Sequence, residues 1–227
     1  MALAKSLFTL YFNSRYDGTE VHEAAACLAA LSRGGAEPLF YAPDTDQAHV
    51  IDHQSGKEIP TPRGALNESA RIARGAVKPL SELTPESADA VVFPGGFGAA
   101  KNLSDFGFKG ADMSVNAEVE RVLKDFKEAG KPIAMCCIAP IIAAKVFGGS
   151  GVSLTLGKKG DEALWPFAGS MEAAKSFGAN VVEAEVSEVH VDEEHKLVTS
   201  PAFMYNGKFH EIQDGVTKMI NTLLKML

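Results

Sequence analysis

Residues 133–145 read IAMCCIAPIIAAK, an apolar run that passes through two adjacent cysteines, Cys136 and Cys137, into a helical pattern. The apolar residues before the cysteines show no alternation, which is typical of a parallel strand covered by helices on both faces. Pro140 suits the first turn of the helix, where its missing N–H costs little. This stretch predicts a strand–turn–helix unit of a doubly wound α/β domain.

Strand-like and helical patterns alternate on both sides of this unit, which is the signature of an α/β fold. Further strands are predicted at SLFTLYF (6–12), PLFYAP (38–43) and ADAVVFP (88–94), and a late hairpin at VVEAEVSEVHV (181–191) and HKLVTSP (195–201). Because the fold needs SLFTLYF as its first strand, we do not interpret the N-terminal segment as a transit peptide. We therefore expect a single domain over residues 1–227, with a mostly parallel, doubly wound sheet and helices on both faces.

Three helices are predicted from apolar periodicity and end signals. The first covers about residues 19–33, and Asp17 with Glu20 predicts a capping box at its start. The second begins at Asn116 and ends at Gly130. The third is C-terminal, with an apolar stripe at Ile212, Val216, Ile220, Leu223 and Leu227. The polar stretch over residues 44–62 predicts a long excursion or a small hairpin.

Composition excludes several classes of protein. The 227 residues are 46% hydrophobic and 22% charged, which suits one globular domain. A net charge of -7 without a block of Lys or Arg argues against a nucleic-acid surface. No apolar run approaches the roughly 20 residues that span a bilayer. The cysteines number three and are not spaced as pairs, so we expect reduced thiols and a cytoplasmic location.

Cys137 is the first candidate for chemistry. A thiol in the first turn of a helix lies near unpaired N–H groups and the positive end of the helix dipole. Both favour the thiolate, which is the reactive form of cysteine. Carboxyl ends of parallel strands are also where ligands bind in open α/β sheets. The alternative is that both neighbouring cysteines are core residues, and we expect this of Cys136.

The second candidate is the turn PGGFGAAKN (94–102), which follows the strand at 88–94. Gly95 and Gly96 allow backbone geometries closed to other residues and let N–H groups approach a ligand. Such a turn can supply one arm of an oxyanion hole for a nucleophile on the neighbouring strand. It resembles dinucleotide loops only weakly, because a third glycine is missing and the first strand does not precede it. A tight strand-to-helix turn is the alternative.

Glu23, in the first predicted helix, is the third candidate. The apolar stripe of this helix is Val21, Ala24, Ala25, Leu28 and Leu31. Glu23 lies off that stripe, on a face shared with Cys27. A carboxylate among small residues can be buried, with a pKa raised to suit proton transfer. Periodicity alone favours the other interpretation, a solvated face carrying Glu20 and Glu23, with His22 on the exposed flank.

The histidines suggest no metal site. His49 and His53 have helical metal-ligand spacing, but they lie in a turn-rich stretch without a third ligand nearby. His190 and Asp192 alternate with valines on a predicted strand, so we expect both to face water. His190 is retained as a possible third partner of a catalytic group.

With these motifs in hand, the chain resembles the class I glutamine-amidotransferase-like superfamily in its PfpI-type branch. Within that branch it is similar to the ElbB-like group, which includes bacterial glyoxalase-type proteins and mitochondrial eukaryotic relatives. The segments that carry the resemblance run from residue 16 to about 204: YDGTEVHEA, SRGGAE, FYAPD, HVIDH, ESARIARG, FPGGFGAAKNLS, EVERVLKDF, AGKPIAMCCIAP and VDEEHKLVTSPAFM. The combination of PGGFGAAKNLS with CIAP is specific to the group.

The resemblance implies a flavodoxin-like core with Cys137 as a nucleophile-elbow cysteine. It implies that Glu23 contacts this cysteine and that the N–H groups of Gly96 and Ile138 form an oxyanion hole. It also implies a homodimer, and the mitochondrial members of the group make the mitochondrial matrix the alternative location.

Two departures from the pattern bear on function. Relatives carry a Ser-Gly-x-Gly type turn after the first strand, where this chain has Tyr11–Arg15. Bulky residues there are expected to reshape the pocket wall beside Glu23. Glutaminases also keep a late His-x-Glu motif, and the nearest sequence here is His190-Val191-Asp192. The missing motif argues against amide hydrolysis by a triad.

The sequence thus predicts a cofactor-independent glyoxalase-like enzyme acting on small 2-oxoaldehydes, with neither metal nor cofactor. The alternative is a non-catalytic or redox-responsive regulator that keeps a vestigial amidotransferase-like site. A glutaminase subunit that delivers ammonia is the third and weakest hypothesis.

Overall fold

The computed structural model describes the backbone of residues 5–9 and residues 16–227 in full. The strands are β1 (Lys5–Thr9), β2 (Glu37–Ala42), β3 (Ile51–Asp52), β4 (Lys57–Glu58), β5 (Val77–Pro79), β6 (Ala90–Phe93), β7 (Ile133–Cys136), β8 (Ser153–Leu154), β9 (Asn180–Val181), β10 (His190–Asp192) and β11 (Leu197–Ser200). The α-helices are α1 (Val21–Arg33), α2 (Ala65–Ser69), α3 (Phe97–Lys101), α4 (Phe106–Lys109), α5 (Ala117–Glu128), α6 (Pro140–Phe147), α7 (Gly169–Ser176) and α8 (Phe209–Leu224).

A seven-stranded sheet in the order β10-β11-β7-β6-β1-β2-β5 forms the centre of the molecule. Its pairs are parallel except for the edge pair β10–β11, which is antiparallel. Helices α1 and α8 pack against each other, as α6 does against α5 and α7. The predicted flavodoxin-like α/β fold, with its mostly parallel doubly wound sheet, is confirmed.

The central strands are the most deeply buried part of the sheet. Every residue of β6 and β7 is buried, as expected where helices cover both faces of a parallel strand. Among the residues whose side chains the structure describes, Phe93 and Phe126 are the largest that are completely buried. Burying a side chain of this size stabilises the fold by roughly 1.5–3 kcal/mol. The carboxyl ends of β6 and β7 are therefore firmly positioned, and the candidate residues follow them directly.

Helix α1 differs from its prediction in two respects. It begins at Val21, and its N-cap is Glu20, whose carboxylate accepts a hydrogen bond from the Glu23 N–H at 2.8 Å. The predicted capping box at Asp17 is wrong, because that carboxylate instead accepts from the Ile51 N–H at 2.7 Å. The predicted apolar stripe is also displaced, since Val21 is 37% exposed whereas Cys27 is completely buried.

Helix α5 and the chain's last helix follow their predicted stripes closely. Asn116 caps α5 by accepting hydrogen bonds from two N–H groups of its first turn. The four apolar residues of its stripe are buried: Val119, Val122, Leu123 and Phe126. In α8 the predicted stripe is buried from Ile212 to Leu223. Leu227 is the exception, because it lies beyond the end of the helix and is 47% exposed.

The two predicted hairpins are present in shorter form. Strands β3 and β4 form an antiparallel pair within residues 44–62. The late hairpin consists of β10 and β11, and its first arm is only three residues long. Asp192 is 7% exposed, so the prediction that it faces water is wrong.

Part of the predicted first strand, residues 10–12, and the departure at Tyr11–Arg15 lie outside the described residues. Over the described chain, no helix is both long enough and apolar enough to cross a bilayer.

Candidate active site

Cys137 occupies a sharp turn between β7, which ends at Cys136, and α6, which begins at Pro140. Its φ is +58°, in the left-handed region that residues other than glycine adopt at a cost of roughly 1–2 kcal/mol. The strained backbone is held by a hydrogen bond from the Cys137 N–H to the Ser200 carbonyl at 3.0 Å. A strained cysteine at a strand-to-helix junction is a nucleophile elbow.

The glycine turn after β6 lies between this elbow and the residues that lead into helix α1. The Glu20 N–H donates to the Gly95 carbonyl at 3.0 Å, and the Gly98 N–H donates to the Gly18 carbonyl at 2.8 Å. Gly96 has a φ of +96°, and a Cβ there would lie 2.3 Å from the Glu20 nitrogen. Only glycine satisfies both requirements, which are a positive φ and a close backbone approach.

Two backbone N–H groups point at the thiol. Those of Gly96 and Ile138 interact with the Cys137 thiol and lower its pKa. These are the two residues whose N–H groups the family resemblance assigned to the oxyanion hole. N–H donors that converge on one point also stabilise negative charge on a reacting oxygen close to the sulfur. The site therefore places two backbone N–H donors beside a nucleophile.

Glu23 lies beside the cysteine and is completely buried. Its Oε2 accepts from the Gly95 N–H at 2.9 Å, and its Oε1 accepts from the Phe203 N–H at 3.1 Å. The Cys136 thiol donates to Glu23 Oε2 at 3.8 Å, and the carboxyl group also interacts with the neighbouring Cys137 thiol. The interpretation of this helix face as solvated is wrong, because α1 turns Glu23 and Cys27 into the protein. His22 is exposed, as predicted.

Burial changes the ionisation of both groups. The pKa of Glu23 is raised to about 8, first by burial and then by the charge of Glu20, while the N–H bonds from Phe203 and Gly95 oppose the increase. The Glu23 carboxyl is therefore protonated at neutral pH. A neutral carboxylic acid can donate a proton to a substrate oxygen, which an ionised carboxylate cannot do.

The pKa of the Cys137 thiol is shifted in the direction opposite to the one predicted from the sequence. Burial raises the pKa of Cys137 well above its ordinary range, and the charge of an ionised Glu23 raises it further. The N–H groups of Gly96 and Ile138 lower it only in part. Position at a helix N-terminus favoured the thiolate, but desolvation of the buried sulfur outweighs this effect. Glu23 and Cys137 form a coupled pair, in which ionisation of one group opposes ionisation of the other.

Residues 11–211 match the model of the DJ-1/PfpI family, which is most of the chain. The chain belongs to the DJ-1/PfpI family. A relative named glutamine amidotransferase-like class 1 domain-containing protein 3, mitochondrial, from Homo sapiens is 53% identical over 213 residues, which cover 93% of this chain and 79% of the relative. A relative named ES1 protein, mitochondrial, from Danio rerio is 39% identical over 222 residues, covering 93% of this chain and 82% of the relative.

Solved structures share the fold of this chain. The crystal structure of an isoprenoid biosynthesis protein with an amidotransferase-like domain from Ehrlichia chaffeensis is 27% identical, with a TM-score of 0.88. It covers 98% of this chain and 100% of that chain. Drosophila melanogaster DJ-1beta is 21% identical with a TM-score of 0.51 over 98% of this chain and 97% of that chain, and it shares the fold. The DJ-1/PfpI assignment thus rests on the sequence matches, and the solved structures show the fold.

Sequence reasoning missed three groups of this DJ-1/PfpI site. They are the Phe203 N–H, which holds Glu23, the Ser200 carbonyl, which holds the elbow, and the Glu20 carboxylate, which caps α1. Strand β11 pairs in parallel with β7, and Ser200 lies opposite Cys136. Carboxyl ends of neighbouring parallel strands meet at one edge of the sheet. Assigning β11 to that position would have brought residues 200–203 to the site.

His190 is not brought to the cysteine in this member of the DJ-1/PfpI family. It lies on the edge strand β10, separated from β7 by β11, and its Nε2 is 2.7 Å from the Ser153 hydroxyl. Within residues 5–9 and 16–227, no group of three or more His, Cys, Asp or Glu side chains is arranged to hold a metal ion. The described site is thus a Cys–Glu pair with backbone donors, without a histidine base.

Replacing Gly95 with alanine tests how closely the site is packed. A Cβ at this position would lie 2.3 Å from the Cys137 Cβ and 2.7 Å from Glu23 Oε2. We expect Gly95→Ala to destabilise the protein by about 1–3 kcal/mol, because both groups must move. Denaturant unfolding measures this change. Gly149→Ala is the matched control, since a Cβ there meets nothing within 4 Å. Equal stability of the two variants would contradict the described packing.

Proposed function

We propose that this protein is a cofactor-independent glyoxalase-like enzyme that converts small 2-oxoaldehydes into 2-hydroxy acids. The observation that carries the proposal is the position of the buried, protonated Glu23 next to Cys137 on its elbow, with both side chains against Gly95. A reaction of this class needs a nucleophile for the aldehyde carbon, an acid–base group for proton transfer and donors for the oxyanion. The site supplies one of each.

The first step forms a covalent adduct. Cys137 sulfur attacks the aldehyde carbon of methylglyoxal, the carbonyl π bond breaks, and the new oxyanion is held by the Gly96 and Ile138 N–H groups. Glu23 donates its proton to that oxygen and then accepts the thiol proton, so the product is a neutral hemithioacetal. Because both groups start protonated, this exchange avoids placing a thiolate and a carboxylate side by side.

The second step moves a proton between carbons. Glu23, protonated at the end of the first step, releases that proton to water, and its carboxylate removes the hydrogen from the former aldehyde carbon to give an enediolate. The hydroxyl proton of the former aldehyde carbon passes to the oxygen on the adjacent carbon, and Glu23 returns the abstracted proton to that adjacent carbon. The result is a lactoyl thioester on Cys137. Water adds to the thioester and breaks the C–S bond, which releases lactate and restores the thiol. The sum is methylglyoxal plus water giving lactic acid, with no oxidant or reductant.

Enzymatic assay of lactate tests this proposal. Purified protein is incubated with methylglyoxal, and lactate is measured against the same protein carrying Cys137→Ser. We expect lactate to form with the unaltered protein only. If the two proteins produce equal amounts, the glyoxalase proposal fails.

A redox-responsive regulator is the second candidate function, and the enclosure of the thiol favours it. Cys137 is only 7% exposed. This limits the access of an aldehyde substrate to the thiol more than it limits the access of the smaller peroxide. Oxidation by peroxide would give a sulfinate, whose oxygens the Gly96 and Ile138 N–H groups and the protonated Glu23 can hold. Formation of Cys137 sulfinate at low peroxide, with no aldehyde turnover, would favour this function. Resistance of Cys137 to peroxide would argue against it.

We also propose a mitochondrial location and a homodimer. The names of the human and zebrafish relatives include the word mitochondrial, whereas the expected cytoplasmic location receives no support from them.

The homodimer proposal rests on an exposed aromatic surface. Phe209 is 64% exposed and lies on the His22 ring, with centroids 4.4 Å apart, so this surface offers apolar area to a second copy. A solution mass equal to that of one 24.1 kDa chain would contradict the dimer.

A further inference from the structure

Three residues remote from Cys137 form a hydrogen-bonded relay. The Ser150 hydroxyl is 2.9 Å from His195 Nε2, and His195 Nδ1 is 2.9 Å from Asp192 Oδ2. His195 is 3% exposed and Asp192 is 7% exposed, whereas Ser150 is at the surface. His195 precedes β11, and Cys137 follows β7, which is parallel to β11. The relay therefore lies at the opposite end of the sheet from the Cys–Glu pair.

The relay fixes which nitrogen of the neutral imidazole carries the proton. Asp192 Oδ2 is an acceptor, so Nδ1 of His195 must donate, and Nε2 is left to accept from Ser150. Asp192 is itself held by N–H groups of Ser153 at 2.6 Å and His195 at 2.9 Å. The Phe147 carbonyl, 2.8 Å from the Ser150 hydroxyl, competes for its proton. When His195 takes the hydroxyl proton of Ser150 during a reaction, the Phe147 carbonyl no longer competes for it.

The hydroxyl opens onto a surface groove of about 500 Å³. Val146 and Phe147 give the groove an apolar wall, and Lys124 and Lys127 give it positive charge. The Lys127 ammonium donates to the Ser150 hydroxyl at 3.2 Å and lies 4.7 Å from the centre of the Phe147 ring. It is thus placed where negative charge would develop on a carbonyl oxygen attacked by Ser150.

We propose that Ser150, His195 and Asp192 form a second catalytic centre, a serine nucleophile site for small carboxylic esters. Nucleophile, base and orienting carboxylate have the distances and roles of a serine hydrolase triad. Ser150 Oγ bonds to the ester carbon while His195 Nε2 takes its proton; the bond from this carbon to the alcohol oxygen then breaks, and the proton leaves with the alcohol. Water, deprotonated by His195, adds to the acyl-serine, the bond from carbon to Ser150 Oγ breaks, and His195 returns the proton to Ser150 as the acid leaves.

Covalent labelling and ester hydrolysis test this centre together. The full chain is treated with a fluorophosphonate, and the labelled residue is located by peptide mass spectrometry. Hydrolysis of 4-nitrophenyl acetate is measured in a Cys137→Ser background, so that the thiol does not contribute. Ser150→Ala is the test variant and suits the purpose because the residue is exposed. Ser176→Ala is the matched control, since Ser176 is also exposed and its hydroxyl also donates to the carbonyl three residues earlier, which is that of Ala173, but it lies outside the relay.

We expect the label on Ser150, and we expect Ser150→Ala to slow hydrolysis by at least about 100-fold while Ser176→Ala leaves it unchanged. His195→Gln should slow labelling of Ser150 by a similar factor. Absence of label on Ser150 would overturn the proposal, as would equal hydrolysis with and without Ser150→Ala. If His195→Gln does not fold, the proposal is still tested by the labelling of the unaltered chain and by the hydrolysis rate of Ser150→Ala.

Discussion

Cys137→Ser is expected to lower lactate formation from methylglyoxal by at least about 1,000-fold, to the rate of the uncatalysed reaction. Serine keeps the size of the side chain, but its hydroxyl ionises far less readily than a thiol. After Glu23 has given its proton to the oxyanion, its carboxylate is too weak a base to take a proton from a hydroxyl of such low acidity. The measurement is kcat/KM for lactate production, with folding of the variant checked by thermal unfolding.

Cys27→Ala provides the control for this loss. Cys27 is also a completely buried thiol, but it lies within α1, and we assign it no role in the reaction. We expect its kcat/KM to stay within about threefold of the unaltered protein. A comparable loss in both variants would mean that cysteine substitution disturbs the fold and that Cys137 is not the nucleophile.

Glu23→Gln is expected to flatten the dependence of stability on pH. In the unfolded chain the carboxyl has its ordinary pKa of 4.5, whereas in the folded protein the pKa is about 8. Between these values the unfolded state loses a proton that the folded state keeps, so folding becomes less favourable as pH rises. At 1.36 kcal/mol per unit, the unaltered protein should lose about 5 kcal/mol between pH 4.5 and 8 that the Gln variant does not lose.

Denaturant unfolding at several pH values measures this difference. This difference in the free energy of unfolding corresponds to a gap between the Tm values of the two proteins. The gap widens by roughly 10–20 °C from pH 4.5 to 8. Glu162→Gln, which removes an exposed carboxylate, is the matched control and should parallel the unaltered protein. Parallel curves for the unaltered protein and Glu23→Gln would show that Glu23 ionises normally and is not buried as described.

Much of the fold could be predicted because its signals are local. The uninterrupted apolar runs before Gly95 and Cys137 marked the two central strands, and Asn116 marked a helix start that the structure confirms. Helix α1 was harder, because alanines and Cys27 form its buried face. Small residues add little to an apolar periodicity, yet they are what allows one helix to approach another closely.

The site was only partly predictable because its contacts are distant in sequence. Glu23 meets Gly95 and Phe203 across 72 and 180 residues, and no local pattern reports such separations. Periodicity placed Glu23 in water, whereas the family resemblance placed it beside Cys137. The ionisation of Cys137 was predicted in the wrong direction for a related reason, since helix position is visible in a sequence but the extent of desolvation is not.

Coupled ionisation of Cys137 and Glu23 is the central claim, and the pH dependence of Cys137 alkylation tests it most directly. The rate of reaction with iodoacetamide is followed by peptide mass spectrometry in the unaltered protein and in Glu23→Gln. We predict that the rate rises in the unaltered protein only above the ordinary pH range of a thiol. We predict that it rises at lower pH in the variant, because the opposing carboxylate is gone. Superimposed profiles for the two proteins would contradict the claim.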